Sequence, residues 1–196
     1  EMSASLVGSE MCIRDRRYCP LTLKAPEQCI YVSGLSKPLC PGLRIAYLYL
    51  PEAYVGTLEQ GMFSQNLKIS SLNMEIAAEM IRSGLAWKII EEKRNAAVAR
   101  NEIYASYFPG GNLRPESYYQ WLELPPELTG RLCEVELAER GVSVFGAERF
   151  LVGNQGKANA VRIATSSAKN DAQFREGLEI LKNFIEKRDR PPVFIV

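Results

Sequence analysis

The chain has 196 residues, enough for one or two domains with a real core. Its 24 basic and 23 acidic residues give a formal net charge of +1, so this stretch makes no electrostatic case for nucleic acid or an anionic membrane. Histidine is absent, which excludes Ser-His-Asp and Cys-His nucleophilic sites and HExxH zinc sites within the chain.

No run approaches the ~18 apolar residues of a membrane span. Proton transfer within this sequence falls to lysine, carboxylate, tyrosine or cysteine. Cys12, Cys19, Cys29, Cys40 and Cys133 show no C-x-x-C spacing. With no secretory signal they read as reduced thiols of a cytoplasmic protein, each expected to be a small buried hydrophobe.

Residues 1–16 carry no convincing period and are expected to be a leader foreign to the fold. Ile30, Tyr31 and Val32 read as a strand that runs into Ser33-Gly34-Leu35-Ser36, with Lys37 next. A proline, a Pro41-Gly42 turn and Arg44 follow, and Ile45 to Leu50 reads as a second strand, expected to lie parallel to the first. Hydroxyls, a turn and an arginine suit a phosphate dianion. A lysine lodged among apolar residues would offer a nucleophilic amine.

Pro51 to Gly61 reads as a connection with a short helical patch. Ser71 opens a helix with Leu72, Ile76, Ala77, Met80 and Ile81 at helical spacing, stopped by Ser83-Gly84. A longer helix is expected over 86–107, ended by Phe108-Pro109-Gly110-Gly111. The remainder reads as an α+β unit: a strand over Tyr118–Leu124, a helix over Glu127–Arg140 closed by Gly141, and a short strand over Val142–Phe145. A loop over Gly146–Lys157, a strand over Ala160–Thr165 and a last helix with Phe174, Leu178, Leu181, Phe184 and Ile185 on one face complete it. The strands 118–124 and 160–165 are expected to pair in one sheet.

In N-A-V-R-I-A-T, strand alternation puts Arg162 on the face of Ala160 and Ala164, which leaves room for a ligand beside its guanidinium. A planar fork there suits a carboxylate, although the residues alone fit a half-exposed strand arginine as well. Tyr118, Tyr119 and Trp121 read as core of this unit, and Tyr47 and Tyr49 as core beside the phosphate strand.

The S-K pair followed by P-G-L-R-I-A-Y resembles the lysine motif of fold-type-I, pyridoxal-phosphate-dependent aminotransferases of class I/II. The resemblance implies an α/β fold and pyridoxal 5'-phosphate as cofactor. It makes Lys37 the Schiff-base lysine, and Ser36 and Arg44 phosphate ligands. The family's serine three residues before the lysine is Gly34 here, with Ser33 one step back as the candidate replacement. N-A-V-R-I resembles the strand that carries the substrate-carboxylate arginine, which assigns that role to Arg162. W-L-E-L-P and G-V-S-V…N-A-V-R-I are similar to the aminotransferase-like domain of MocR-type regulators, the GntR subgroup with a winged-helix DNA-binding head.

The resemblance runs from about Arg17 to Lys187 and implies a C-terminal fragment. A large-domain remnant is expected over 17–104 and a small C-terminal domain over 105–196. The implied partners are an amino acid or related amine, a second copy in a homodimer, and DNA only through a winged helix outside this chain; no membrane is implied. The function implied is effector sensing. A free-standing aminotransferase with full turnover, and a non-catalytic binding module without cofactor, remain the alternatives.

Overall fold

A computed structural model describes residues 20–65, 68–111, 113–152 and 159–188. The leader expected over 1–16, with Cys12 and Cys19, lies outside the described residues. The chain divides into two compact units, one ending at Arg94 and one beginning at Asn95.

In the first unit, strand β1 (Tyr31–Gly34) pairs antiparallel with β2 (Ala46–Tyr49), in register from Tyr31↔Tyr49 to Gly34↔Ala46. This corrects the expected parallel pair. Parallel neighbours need a crossover of roughly a dozen residues or more, usually a helix. Leu35 to Ile45 is shorter and holds only the 3-10 turn Pro41–Leu43, so the chain folds straight back.

Helix α1 (Glu52–Ser64) follows buried Pro51 and is longer than the patch expected there, since Gly56 and Gly61 dilute its helical signal without breaking it. Helix α2 (Ser71–Arg82) ends where the Ser83 hydroxyl donates to the Glu79 carbonyl (2.7 Å) and Gly84 turns left-handed at φ 78°. Helix α3 (Leu85–Tyr107) matches the long helix expected over 86–107. The core of this unit is Leu35, Leu39, Leu43 and Ile45 against Ala77, Ala86 and Ile90. Each buried leucine contributes on the order of 1.5–3 kcal/mol. Leu72, Ile76 and Ile81, periodic as expected, are exposed.

In the second unit, strands β3 (Tyr119–Glu123), β4 (Phe145–Gly146) and β5 (Ala160–Ala164) form an antiparallel sheet in the order β3-β5-β4. The expected pairing of 118–124 with 160–165 is present, with Trp121 opposite Arg162 and Tyr119 opposite Ala164. Helix α4 (Gly130–Ala138) is shorter than expected because Thr129 caps it, its hydroxyl accepting from Leu132 N–H at 3.2 Å. The loop expected from Gly146 begins with a 3-10 turn, Ala147–Phe150, and residues 153–158 lie outside the described residues.

Helix α5 (Asp171–Arg188) presents Phe174, Leu178, Leu181 and Phe184 to a core shared with Ile103, Tyr104, Leu128, Cys133, Leu137, Val161 and Ile163. Cys133 is buried as expected, whereas Cys40 is exposed. Buried Asn101 donates to the carbonyls of Pro115 (2.6 Å) and Ser117 (2.8 Å) and accepts from the Gln120 side chain (3.0 Å), fixing the entry to β3. Among the described residues, no helix is long and apolar enough to cross a membrane.

Candidate functional site

The segment between β1 and β2 carries three of the expected site residues. Leu35, Leu39, Leu43 and Ile45 are buried in the core of the first unit, while Ser36 is half-buried and Lys37 and Arg44 are exposed. Backbone bonds close the segment: Leu35 N–H donates to the Ile45 carbonyl (2.9 Å), and Leu39 and Cys40 N–H to the Leu35 carbonyl (3.0 and 3.1 Å).

Two side chains from the helices clamp it further. Lys93 Nζ donates to the Leu39 carbonyl (2.5 Å) and the Lys37 carbonyl (3.3 Å), and Asn73 Nδ2 to the Leu43 carbonyl (3.1 Å). The apolar side chains are thus roots, and Lys37 and Arg44 between them face solvent. The expectation of a lysine lodged among apolar residues is corrected accordingly, because Leu35, Pro38 and Leu39 turn inward and Lys37 does not.

Arg44 stands at the exit of the 3-10 turn in a left-handed conformation, φ 55° and ψ 35°, the only non-glycine residue with positive φ among the described residues. For an L-residue this costs roughly 1–2 kcal/mol. Ser33 is buried on β1, opposite Tyr47. A Cβ at Gly34 would meet nothing within 4 Å, so the place of the family's missing hydroxyl is open space. A serine hydroxyl, an arginine without an ion pair among the described residues, and an exposed primary amine on one clamped segment are a donor set that fits a phosphate-bearing aldehyde.

Arg162 lies on β5, the middle strand of the second sheet, opposite Trp121 on one side and Phe145 on the other. Its guanidinium carbon is 4.5 Å from the Tyr119 ring centroid, 4.7 Å from Phe150 and 5.0 Å from Phe145. The Nε–H is buried and has no hydrogen-bond partner among the described residues. An unsatisfied buried donor costs about 1–3 kcal/mol.

Trp121, expected in the core, is 50% exposed and meets Phe150 edge to face at 5.3 Å. Tyr119 is a platform for the guanidinium rather than core filler, and Tyr47 and Tyr49 are exposed as well. The aromatic surround of Arg162 was missed in the sequence, although period-2 alternation in Y-Q-W-L-E already sends Tyr119 and Trp121 to the face opposite buried Gln120.

A second arginine beside Phe145 is already engaged. Arg149 Nε donates to Glu134 Oε1 at 2.7 Å, and the same oxygen accepts from Gly146 N–H at 2.6 Å. The Arg149 hydrogen bond, helped by Gly146 N–H, holds the Glu134 carboxyl below its ordinary range despite the opposing effect of burial.

No family model matches the chain. An uncharacterized HTH-type transcriptional regulator of Bacillus subtilis (strain 168), YdeF, is 35% identical over 164 residues, covering 83% of this chain and 36% of the relative. An uncharacterized aminotransferase of Saccharolobus solfataricus is 29% identical over 169 residues, 80% of this chain and 40% of the relative. Among solved structures, LysN of Thermus thermophilus, an α-aminoadipate aminotransferase complexed with N-(5'-phosphopyridoxyl)-L-leucine, matches with a TM-score of 0.68 at 21% identity, over 85% of this chain and 44% of that one. The chain spans well under half the length of the curated relatives it matches.

Fold and relatives together define the class of likeness: the chain has the fold of part of a fold-type-I, pyridoxal-phosphate-dependent aminotransferase, and is similar in sequence to an aminotransferase. It is similar in sequence to an HTH-type transcriptional regulator as well.

Proposed function

We propose that this chain is the pyridoxal-phosphate-binding, amino-acid-responsive part of a MocR/GntR-type transcriptional regulator. The observation that carries the reading is the clamped segment in which buried Leu35, Leu39, Leu43 and Ile45 leave Lys37 and Arg44 exposed and Ser36 half-buried beside them. The regulator half of the reading is supported by the 35% identity to an HTH-type transcriptional regulator.

When bound, the cofactor supplies an aldehyde carbon and an electron-withdrawing ring. Ser36 and Arg44 hold its phosphate, the hydroxyl by a hydrogen bond and the guanidinium by charge-assisted bonds, with Ser33 on β1 the candidate further hydroxyl. Lys37 Nζ is the covalent anchor. Where turnover occurs it is also the base for the ligand's Cα proton, since the chain offers no imidazole. Arg162 takes the ligand's carboxylate through its guanidinium.

A second reading, a free-standing aminotransferase with complete turnover, is favoured by the 29% identity to an aminotransferase. A basic, helix-rich domain preceding this stretch in the whole protein distinguishes the regulator from the enzyme.

The test is to load the whole protein with pyridoxal 5'-phosphate, reduce it with borohydride and map the modified peptide by mass spectrometry. One cofactor fixed at Lys37, and none in Lys37→Ala, is the expected result. Stoichiometric fixation at another lysine, or none at all, overturns the reading.

A further inference from the structure

The sheet of the second unit has two unlike faces. Gln120, Val161 and Ile163 are buried beneath it, with Val161 and Ile163 in the core that α4 and α5 share. Directly opposed residues on neighbouring strands project to the same side. Trp121, Arg162 and Phe145 therefore form one row across the other face, with Tyr119 two positions along β3. That face is aromatic where a solvated sheet would be polar. Trp121, Phe145 and Phe150 are 50%, 39% and 44% exposed, and Arg162 with its orphaned Nε–H stands among them.

The charges around the row are unevenly committed. Arg149, the other cation against Phe145, is held by Glu134. Glu123, two positions beyond Trp121 on β3 and opposite Ala160, is exposed and adds a negative charge to the same side. A ligand carboxylate therefore has one uncommitted cation to find on this face among the described residues, and a second carboxylate would meet rings, a committed arginine and an acid. An anion desolvated without a partner is strongly disfavoured. Aliphatic or aromatic groups, by contrast, gain area and ring contact against Trp121 and Phe150.

We propose that the amino acid taken by this face has an uncharged, apolar side chain, aliphatic or aromatic, laid on the Trp121–Phe150 pair while its carboxylate pairs with Arg162. The proposal rests on the reading of Arg162 as the carboxylate site, and it names the ligand class that the reading leaves open. Trp121 is the specificity-determining residue and Arg162 the common anchor.

The test is calorimetric titration of the whole protein, with and without pyridoxal 5'-phosphate, using L-phenylalanine, L-leucine, L-alanine and L-aspartate. L-phenylalanine and L-leucine are expected to bind at least about tenfold more tightly than L-aspartate. Trp121→Ala should weaken L-phenylalanine about 3- to 10-fold and leave L-alanine within about twofold, while Trp121→Phe retains most of the preference. L-aspartate binding as well as L-phenylalanine, a Trp121→Ala variant with unchanged ratios, or no amino-acid binding in any form overturns the proposal. If Trp121→Ala fails to fold, the wild-type ranking and Trp121→Phe still decide.

Borohydride mapping on the same samples separates the two readings. Cofactor fixed at Lys37 with a preference for L-aspartate sinks the side-chain proposal alone. An apolar preference without fixation sinks the cofactor role and leaves the side-chain proposal standing.

Discussion

On the proposed function Arg44 and Arg162 each meet an anion that the chain itself does not provide, yet their surroundings predict different losses. Arg44 is exposed on a clamped loop, and Arg44→Ala removes one charged partner of the phosphate, a contact worth on the order of 1.5–3 kcal/mol. Cofactor affinity in the whole protein should fall roughly 10- to 150-fold, read by absorbance titration. Arg162→Ala should leave cofactor affinity intact and weaken amino-acid binding by a similar factor. Arg162→Lys should restore little, because an ammonium lacks the planar fork and stacks less well on Tyr119 and Phe150. Loss of cofactor in Arg162→Ala with amino-acid affinity unchanged would demote it to a structural strand arginine.

Tyr104 carries a prediction of another kind. Burial pushes its hydroxyl up to about 12, so the folded state favours the neutral phenol. A raised folded value means the stabilisation is complete below the ordinary tyrosine range, about 10, and is lost as pH rises through about 12. Denaturant melts at rising alkaline pH should show stability falling across that window, and Tyr104→Phe should flatten the fall. An unchanged slope in Tyr104→Phe would show that other groups govern it.

At the level of elements, the corner between α4 and β4 is closely packed. A Cβ on Gly130 would lie 2.6 Å from the Gly146 Cα and 2.9 Å from the Ala160 carbonyl oxygen, both backbone atoms that have no rotamer to escape into. Gly130→Ala is expected to destabilise by about 1–3 kcal/mol, measured as a shift in denaturant midpoint at constant slope. A neutral substitution would show that the corner relaxes.

Elements governed by local sequence were the legible ones: α3 from its breakers at both ends, and the β3–β5 pair from alternation and Pro125-Pro126. Strand direction in β1–β2 was not, because pairing sense depends on what lies beside a strand and not on its own residues. The lysine segment was legible because its parts are contiguous from Ser36 to Arg44. The ring of Tyr119, Phe145 and Phe150 around Arg162 was not, since it is assembled from three separate stretches of chain.

Across the whole molecule, the two units differ in how much of their apolar surface they cover. The second closes a core of thirteen buried side chains, Ile103 through Phe184. The first leaves Tyr47, Leu48, Tyr49, Tyr54 and Phe63 exposed, and β2 is uncovered along its whole length. A two-stranded sheet is marginal by itself, and exposed apolar edges invite association. Residues 20–94 prepared alone should therefore associate in size-exclusion chromatography, whereas 85–188 should melt as one cooperative transition. A monodisperse, cooperatively melting 20–94 would contradict this.

With the phosphate role proposed for Arg44, its left-handed backbone sets stability against function at a single position. Asparagine tolerates that conformation better than arginine and, unlike glycine, adds little to the entropy of the unfolded chain. Arg44→Asn should therefore raise the melting temperature of the protein while lowering its hold on the cofactor, a trade in which the less functional protein is the more robust one. A selection for thermostability alone would drift toward losing this arginine; a selection that also demands cofactor retention would have to find its gains elsewhere. If Arg44→Asn lowers the melting temperature in the absence of cofactor, the turn is held by the arginine side chain and carries no such conflict.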